Sequence, residues 1–136
     1  MDEDPPQHPV AGLARLDELL DATRAAGLPV AVEIGGEPRE LPPSVDTAAY
    51  RIIQEALTNA RKHAGPARAS VRLTYTEDGI AMRIDDDGAG PSGGVGNGLP
   101  GMRERAEALG GTLTAGPRPG GGFRVDAHLL TTGGDR

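Results

Sequence analysis

The stretch RIIQEALTNARKHAG sets an acid, an amide, a cation and an imidazole, Glu55, Asn59, Lys62 and His63, at spacings of three and four. At about 100° per residue of helix, these four fall in a band of roughly 100° along the border of an apolar arc made by Ile52, Ile53, Ala56, Leu57 and Ala60. Such an edge can hold a metal ion and phosphates. Asn59 offers a neutral oxygen of the kind Mg²⁺ accepts. Glu55, one turn earlier, can act as a base on an attacking group. A solvated helix face carries the same residue types, with Glu55 pairing to Asn59 or Lys62 at the surface.

About one hairpin further on, DDDGAGPSGGVGNGLPG runs three carboxylates into a glycine-dense segment. Acid repels phosphate and glycine-rich loops cradle it, so the two halves of the stretch face different groups. A carboxylate at a strand end, Asp86, can accept a hydrogen bond from an exocyclic amine, which separates adenine from guanine. Gly88 and Gly90 allow the backbone to approach a flat base where a Cβ would collide. Gly93, Gly94, Gly96 and Gly98 can fold over phosphates, and the helix that starts at Leu99 can offer N–H groups to them.

The elements that must position these residues follow from periodicity. Leu13, Leu16, Leu19, Leu20 and Ala26 predict a helix that Gly27 and Pro29 end. Val30, Val32 and Ile34 alternate as in a half-buried strand. The long helix has Ser44 as its expected N-cap and Gly65-Pro66 as its stop. Val71, Leu73, Tyr75 and Ile80, Met82, Ile84 flank TEDG as a β-hairpin. Leu99, Met102, Ala106 and Leu109 return to helical spacing until Gly110-Gly111, and TLTAG and FRVDAHLL read as strands around PRPGGG. The order α β α β β α β β, with each helix amphipathic on one stripe, predicts an α/β fold: a two-layer sandwich with a mixed sheet and helices on one face.

Composition narrows the function. A chain of 136 residues suits one domain and is too short for both halves of a dinucleotide-binding fold. Two GxGxxG patterns, Gly88-Gly90-Gly93 and Gly96-Gly98-Gly101, lack the strand-turn-helix context that pattern needs. An EF-hand reading of Asp85, Asp87 and Gly88 puts Arg83 and Gly94 where acids are required. The net charge of −6 disfavours a nucleic-acid backbone as partner. The absence of cysteine removes thiolate metal sites and cysteine nucleophiles and suits a reducing cytoplasm. No stretch approaches the ~18 apolar residues of a membrane span, so no membrane contact is expected of this domain.

RIIQEALTNARKHA resembles the N box of the ATP-binding domain of bacterial sensor histidine kinases, DDDGAG their DxGxG box, and GNGLPGMRERAEALGGTL the end of the lid and the helix after it. The spelling is similar to the subfamily that pairs with NarL-type response regulators. The resemblance runs from about Leu13 to Leu130 and implies the GHKL, or Bergerat-type, ATP-binding fold. Carried over by position, it makes Asn59 the Mg²⁺ ligand, Glu55 the catalytic base, and Lys62 and His63 neighbours of the phosphates. Asp86 becomes the adenine-reading aspartate with Gly88 and Gly90 beside it. Gly96 and Gly98 become lid glycines, and Leu99 and Thr112 further ATP contacts. Asp87 is expected to be solvated or to cap a loop.

Two departures from the pattern stand out. PGGGFRV places Phe123 where many relatives have a threonine that reaches the base through water. None of His8, His63 and His128 has the setting of a phosphoacceptor, so the resemblance implies a dimerising helical hairpin on another domain. The expectation is therefore an Mg-ATP-binding domain, residues 12–131, between a flexible lead-in (1–11) and a tail (132–136). It would donate a γ-phosphoryl to a histidine on that partner domain, in the cytoplasm, with a parent protein that can be membrane-anchored. A GHKL serine kinase of the anti-sigma-factor type, or a non-catalytic nucleotide-binding regulator, would use the same pocket.

Overall fold

The computed structural model describes residues 12–63, 67–88 and 99–131. The lead-in, the Gly65-Pro66 stop, the glycine run through Gly90, Gly96 and Gly98, and the tail after Thr131 lie outside the described residues.

A short 3-10 turn, Leu13–Arg15, leads into α1 (Leu16–Ala25), which is followed by β1 (Val30–Gly35) and the long α2 (Pro43–His63). The hairpin of β2 (Ala69–Thr76) and β3 (Gly79–Asp86) comes next, then α3 (Leu99–Ala108), β4 (Thr112–Pro117) and β5 (Phe123–Leu130). This is the predicted order. One boundary differs: α2 begins at Pro43, so Ser44 lies inside the first turn and is not the N-cap. Proline needs no N–H at the first helical position and its φ is already helical, so it opens the helix two residues earlier than a Ser44 cap would.

The five strands pair in the order β1-β2-β3-β5-β4. β1 lies parallel to β2, as the crossover through α2 requires, and the other pairs are antiparallel. Along β3, Ile80, Met82 and Ile84 are buried beneath the helices, and their rung partners Leu129, Ala127 and Val125 on β5 are buried with them. From α2, Ile52, Ile53 and Leu57 meet this surface and are at most 1% exposed. Burying side chains of this size stabilises by roughly 1.5–3 kcal/mol each. Met102 and Ala106 of α3 complete the core near β4, and Leu16 and Leu20 of α1 close its other side. The helices cover one face only, as expected.

The opposite face carries charge in cross-strand pairs. Arg83 forks on Asp126 (Nε to Oδ1, 2.8 Å), and Arg72 reaches Glu33 at 3.2 Å. β1 departs from its expected half-burial. Val30 is buried, but Val32 and Ile34, on the same helix-side face, are 38% and 53% exposed. β1 is an edge strand, and α1 lies against its beginning: Arg24 donates from Nε and Nη2 to the Val30 carbonyl at 3.0 and 2.8 Å. No helix among the described residues is long and apolar enough to cross a membrane.

Candidate functional site

Asp86 is the last residue of β3, and its rung partners are Ala69 on β2 and Phe123 on β5. Cross-strand partners share a face, so the carboxylate stands between a methyl group and a phenyl ring on the helix side of the sheet. Only 7% of Asp86 is exposed. Gly88 N–H donates to its Oδ1 at 3.0 Å, which folds the chain back over the strand end. The Asp86 carboxyl is held above its ordinary value, first by burial. The Gly88 N–H pulls it down, Asp87 pushes it up, and Arg118 and Asp85 act in the same opposed senses more weakly. A carboxylate this dry, with one oxygen bound by the backbone, suits a single donor presented to its other oxygen.

Its two acidic neighbours are engaged elsewhere. Asp85 points to the open face, where Arg124 forks on it with Nε to Oδ1 at 2.9 Å and Nη2 to Oδ2 at 3.1 Å. Asp87 accepts the Arg68 N–H at 2.8 Å, and its own N–H donates to the Arg68 carbonyl at 3.1 Å. A shallow groove of about 470 Å³ on the open face is lined by Ser70, Arg72, Arg83, Asp85 and Arg124. It lies behind Asp86, and its arginines are already engaged by carboxylates.

Asn59 and Glu55 are half-buried on α2, and Lys62 is exposed near its end. α2 ends at His63, and the chain enters β2 at Ala69, the rung partner of Asp86. The polar edge of α2 and the Asp86 carboxylate are thereby brought to the same end of the sheet. Gly88 is half-buried beside Asp86, and Leu99 opens α3. Gly90, Gly96 and Gly98 lie outside the described residues. Thr112 stands apart: it is exposed and pairs with His128, five rungs along β5 from Phe123 and hence at the far end of the sheet from Asp86.

Sequence reasoning missed the support behind the site. The turn between β4 and β5 folds against the end of β3, where Arg118 Nη1 donates to the Asp86 carbonyl at 3.0 Å. Gly122 sits at φ +99°, and a Cβ there would strike the same carbonyl. The visible signal was the triple glycine of PRPGGG, a run that a plain hairpin does not need.

A two-layer sandwich with a buried aspartate at a strand end, and a helix bearing amide and acid beside it, is the frame of a nucleotide-binding ATPase domain. Residues 44–133 match the family described as histidine kinase-, DNA gyrase B-, and HSP90-like ATPase, and the chain belongs to that family. Among its relatives is the sensor histidine kinase LnrJ of Bacillus subtilis (strain 168), 37% identical over 121 residues, which are 88% of this chain and 30% of that protein. The chain thus spans under a third of that relative's length. In fold it is similar to the blue-light activated histidine kinase EL346 of Erythrobacter litoralis, with a TM-score of 0.73 at 23% identity over 89% of this chain and 42% of that one. The catalytic domain of histidine kinase ThkA gives 0.66 at 14% identity and covers 86% of this chain and 92% of that one. The two-layer fold expected from the sequence is the one observed.

Proposed function

We propose that this domain binds Mg-ATP and passes the γ-phosphoryl to a phosphoacceptor histidine on a separate helical dimerisation domain, in two-component signalling. The observation that carries the reading is the dry Asp86 carboxylate, whose Oδ1 takes the Gly88 N–H and whose other oxygen is left to accept the adenine amine. Gly88 and Gly90 line the base, and Gly96, Gly98 and the start of α3 at Leu99 serve the phosphates. Asn59 supplies the side-chain oxygen for Mg²⁺, which neutralises charge on the phosphates when bound. Lys62 and His63, one turn further along α2, add positive charge and hydrogen-bond donors there. Thr112 has no part in this set, being at the other end of the sheet.

In the transfer, an imidazole nitrogen of the acceptor attacks Pγ, the bond from Pγ to the bridging oxygen breaks, and ADP leaves. Glu55 takes the ring proton. Such a reaction relies on positioning and charge neutralisation, with little covalent chemistry from the protein. The resemblance in the N box and lid supports a NarL-type response regulator as the next recipient and a cytoplasmic site of action.

The test is incubation of the chain with Mg-ATP labelled on the γ-phosphate and a separately made phosphoacceptor hairpin. Label that passes to the hairpin and is lost in acid supports the proposal. Acid-stable label on a protein serine would replace it with a serine kinase. Tight ATP binding without transfer to any hairpin would leave a nucleotide-binding regulator.

A further inference from the structure

At the end of β3 the peptide that follows Asp86 is held on one side by its N–H, which Asp87 donates to the Arg68 carbonyl at 3.1 Å. Beyond Asp86 the chain leaves the sheet within one residue. The same peptide is also gripped from behind. Arg118 Nη1 donates to the Asp86 carbonyl at 3.0 Å, and the same guanidinium brings Nε within 3.9 Å of Asp85 Oδ2. The turn that carries Arg118 is closed on itself: Arg118 N–H donates to the Gly122 carbonyl at 3.0 Å, and Gly121 N–H donates to the Arg118 carbonyl at 3.1 Å. Gly120, Gly121 and Gly122 all take positive φ, at +86°, +113° and +99°, which L side chains rarely adopt. Backbone and guanidinium therefore converge on one peptide group.

A hairpin built only for stability would not need this. Arg118 Nε is sealed from solvent and finds no hydrogen-bond acceptor among the described residues. A buried unpaired N–H is destabilising and calls for a reason. In the same geometry Nη1 donates to the Asp86 carbonyl at 3.0 Å and Nε lies 3.9 Å from Asp85 Oδ2, so the buried guanidinium is committed to the end of β3.

We propose that Arg118 is a positioning residue for the base-reading carboxylate. By holding the Asp86 carbonyl and lying against Asp85, it fixes the rotation of the β3 terminus and so the direction in which Asp86 presents its free oxygen. Arg118 touches no ligand in this role. The inference rests on the reading of Asp86 as the adenine contact.

The test compares Mg-ATP with Mg-ITP, in which a keto oxygen replaces the amine, by calorimetry on wild type, Arg118→Met, Arg118→Lys and Asp86→Asn, with thermal unfolding of each. Methionine keeps the packing of the stem and removes the donors. The Arg118→Met protein should bind ATP about 5- to 10-fold more weakly with ITP affinity little changed. Lysine, with one compact ammonium in place of the planar fork, should lose about 2- to 3-fold by the same reasoning. Wild-type ATP and ITP affinities in Arg118→Met, while Asp86→Asn loses discrimination, would overturn the proposal and leave the Asp86 reading standing. No change in either variant overturns both. Equal weakening of ATP and ITP with a lowered unfolding temperature makes Arg118 structural only and also overturns it. Should Arg118→Met not fold, a wild-type ATP to ITP ratio in Arg118→Lys does the same.

Discussion

Asp86→Asn is the substitution in which the geometry makes the sharpest demand. Gly88 N–H binds Oδ1 at 3.0 Å, so the orientation of an asparagine at this position is fixed in advance: its oxygen takes the Gly88 bond and its NH₂ points where Oδ2 was. The adenine amine then meets a donor instead of an acceptor. Loss of a hydrogen bond to a charged group costs about 1.5–3 kcal/mol, which is about 10- to 150-fold in affinity. Inosine triphosphate, with a keto oxygen in place of the amine, should gain from the same change, so the ATP to ITP preference should narrow or invert. Stability moves the other way. Burial holds the Asp86 carboxyl above its ordinary value, so the folded state is stabilised by the proton below the ordinary carboxylate range and loses that contribution as pH rises through the raised value. Asparagine is neutral throughout. At pH 7 the variant should unfold at the same or a higher temperature than wild type, and the difference should vanish as acid protonates Asp86. Calorimetric titration with both nucleotides, beside thermal unfolding at pH 7 and at acid pH, gives all three results. An unchanged ATP to ITP ratio in a folded variant would refute the adenine contact.

Asn59→Ala should abolish most of the difference between ATP affinity measured with Mg²⁺ and with EDTA; a difference of wild-type size refutes the metal role. Glu55→Gln should bind ATP within about twofold of wild type, yet slow transfer to an added phosphoacceptor hairpin by about 10²- to 10⁴-fold, the usual contribution of a general base. Equal transfer rates would remove Glu55 from the chemistry. Ile52 is 0% exposed beneath α2, and Ile52→Ala should cost about 2–5 kcal/mol in urea unfolding, with an unchanged ATP to ITP ratio in whatever folded fraction remains.

The order of elements was legible because each helix and strand carries its own period: Ile52, Ile53, Ala56 and Leu57 can lie together only on a helix, and Ile80, Met82 and Ile84 only on a strand. Asp86 was legible too, since its parity with Ile84 puts it on the core side. What periodicity could not convey was partnership at long range. The contact from Arg118 to the Asp86 carbonyl spans 32 residues, and nothing local to PRPGGG says which strand end the turn will close on. The exposure of Val32 and Ile34 was hidden for a similar reason. Alternation reports which face a side chain takes, whereas burial depends on how far α1 reaches, which is a tertiary fact. Ser44 failed through a local competition, in which Pro43 opened the helix first.

Three consecutive carboxylates raise the question of how a folded chain tolerates them, and the pleat answers it. Successive residues of β3 point to opposite faces, so Asp85 goes to the open side and meets Arg124, while Asp86 goes to the helix side and stays dry. Asp87, past the strand, turns to the loop and accepts the Arg68 N–H. Arg118 lies behind the pair, opposing the charge of both Asp85 and Asp86 from one position. Of the three, only Asp86 is buried without a guanidinium on its carboxylate among the described residues. The same alternation that separates the charges therefore selects which acid can serve a ligand. A shift of register by one residue would turn Asp85 to the helix side, away from Arg124, and Asp86 to the open face. Gly122, at φ +99°, admits no side chain against the Asp86 carbonyl, so the β4–β5 turn can close directly on the strand end that carries the buried acid.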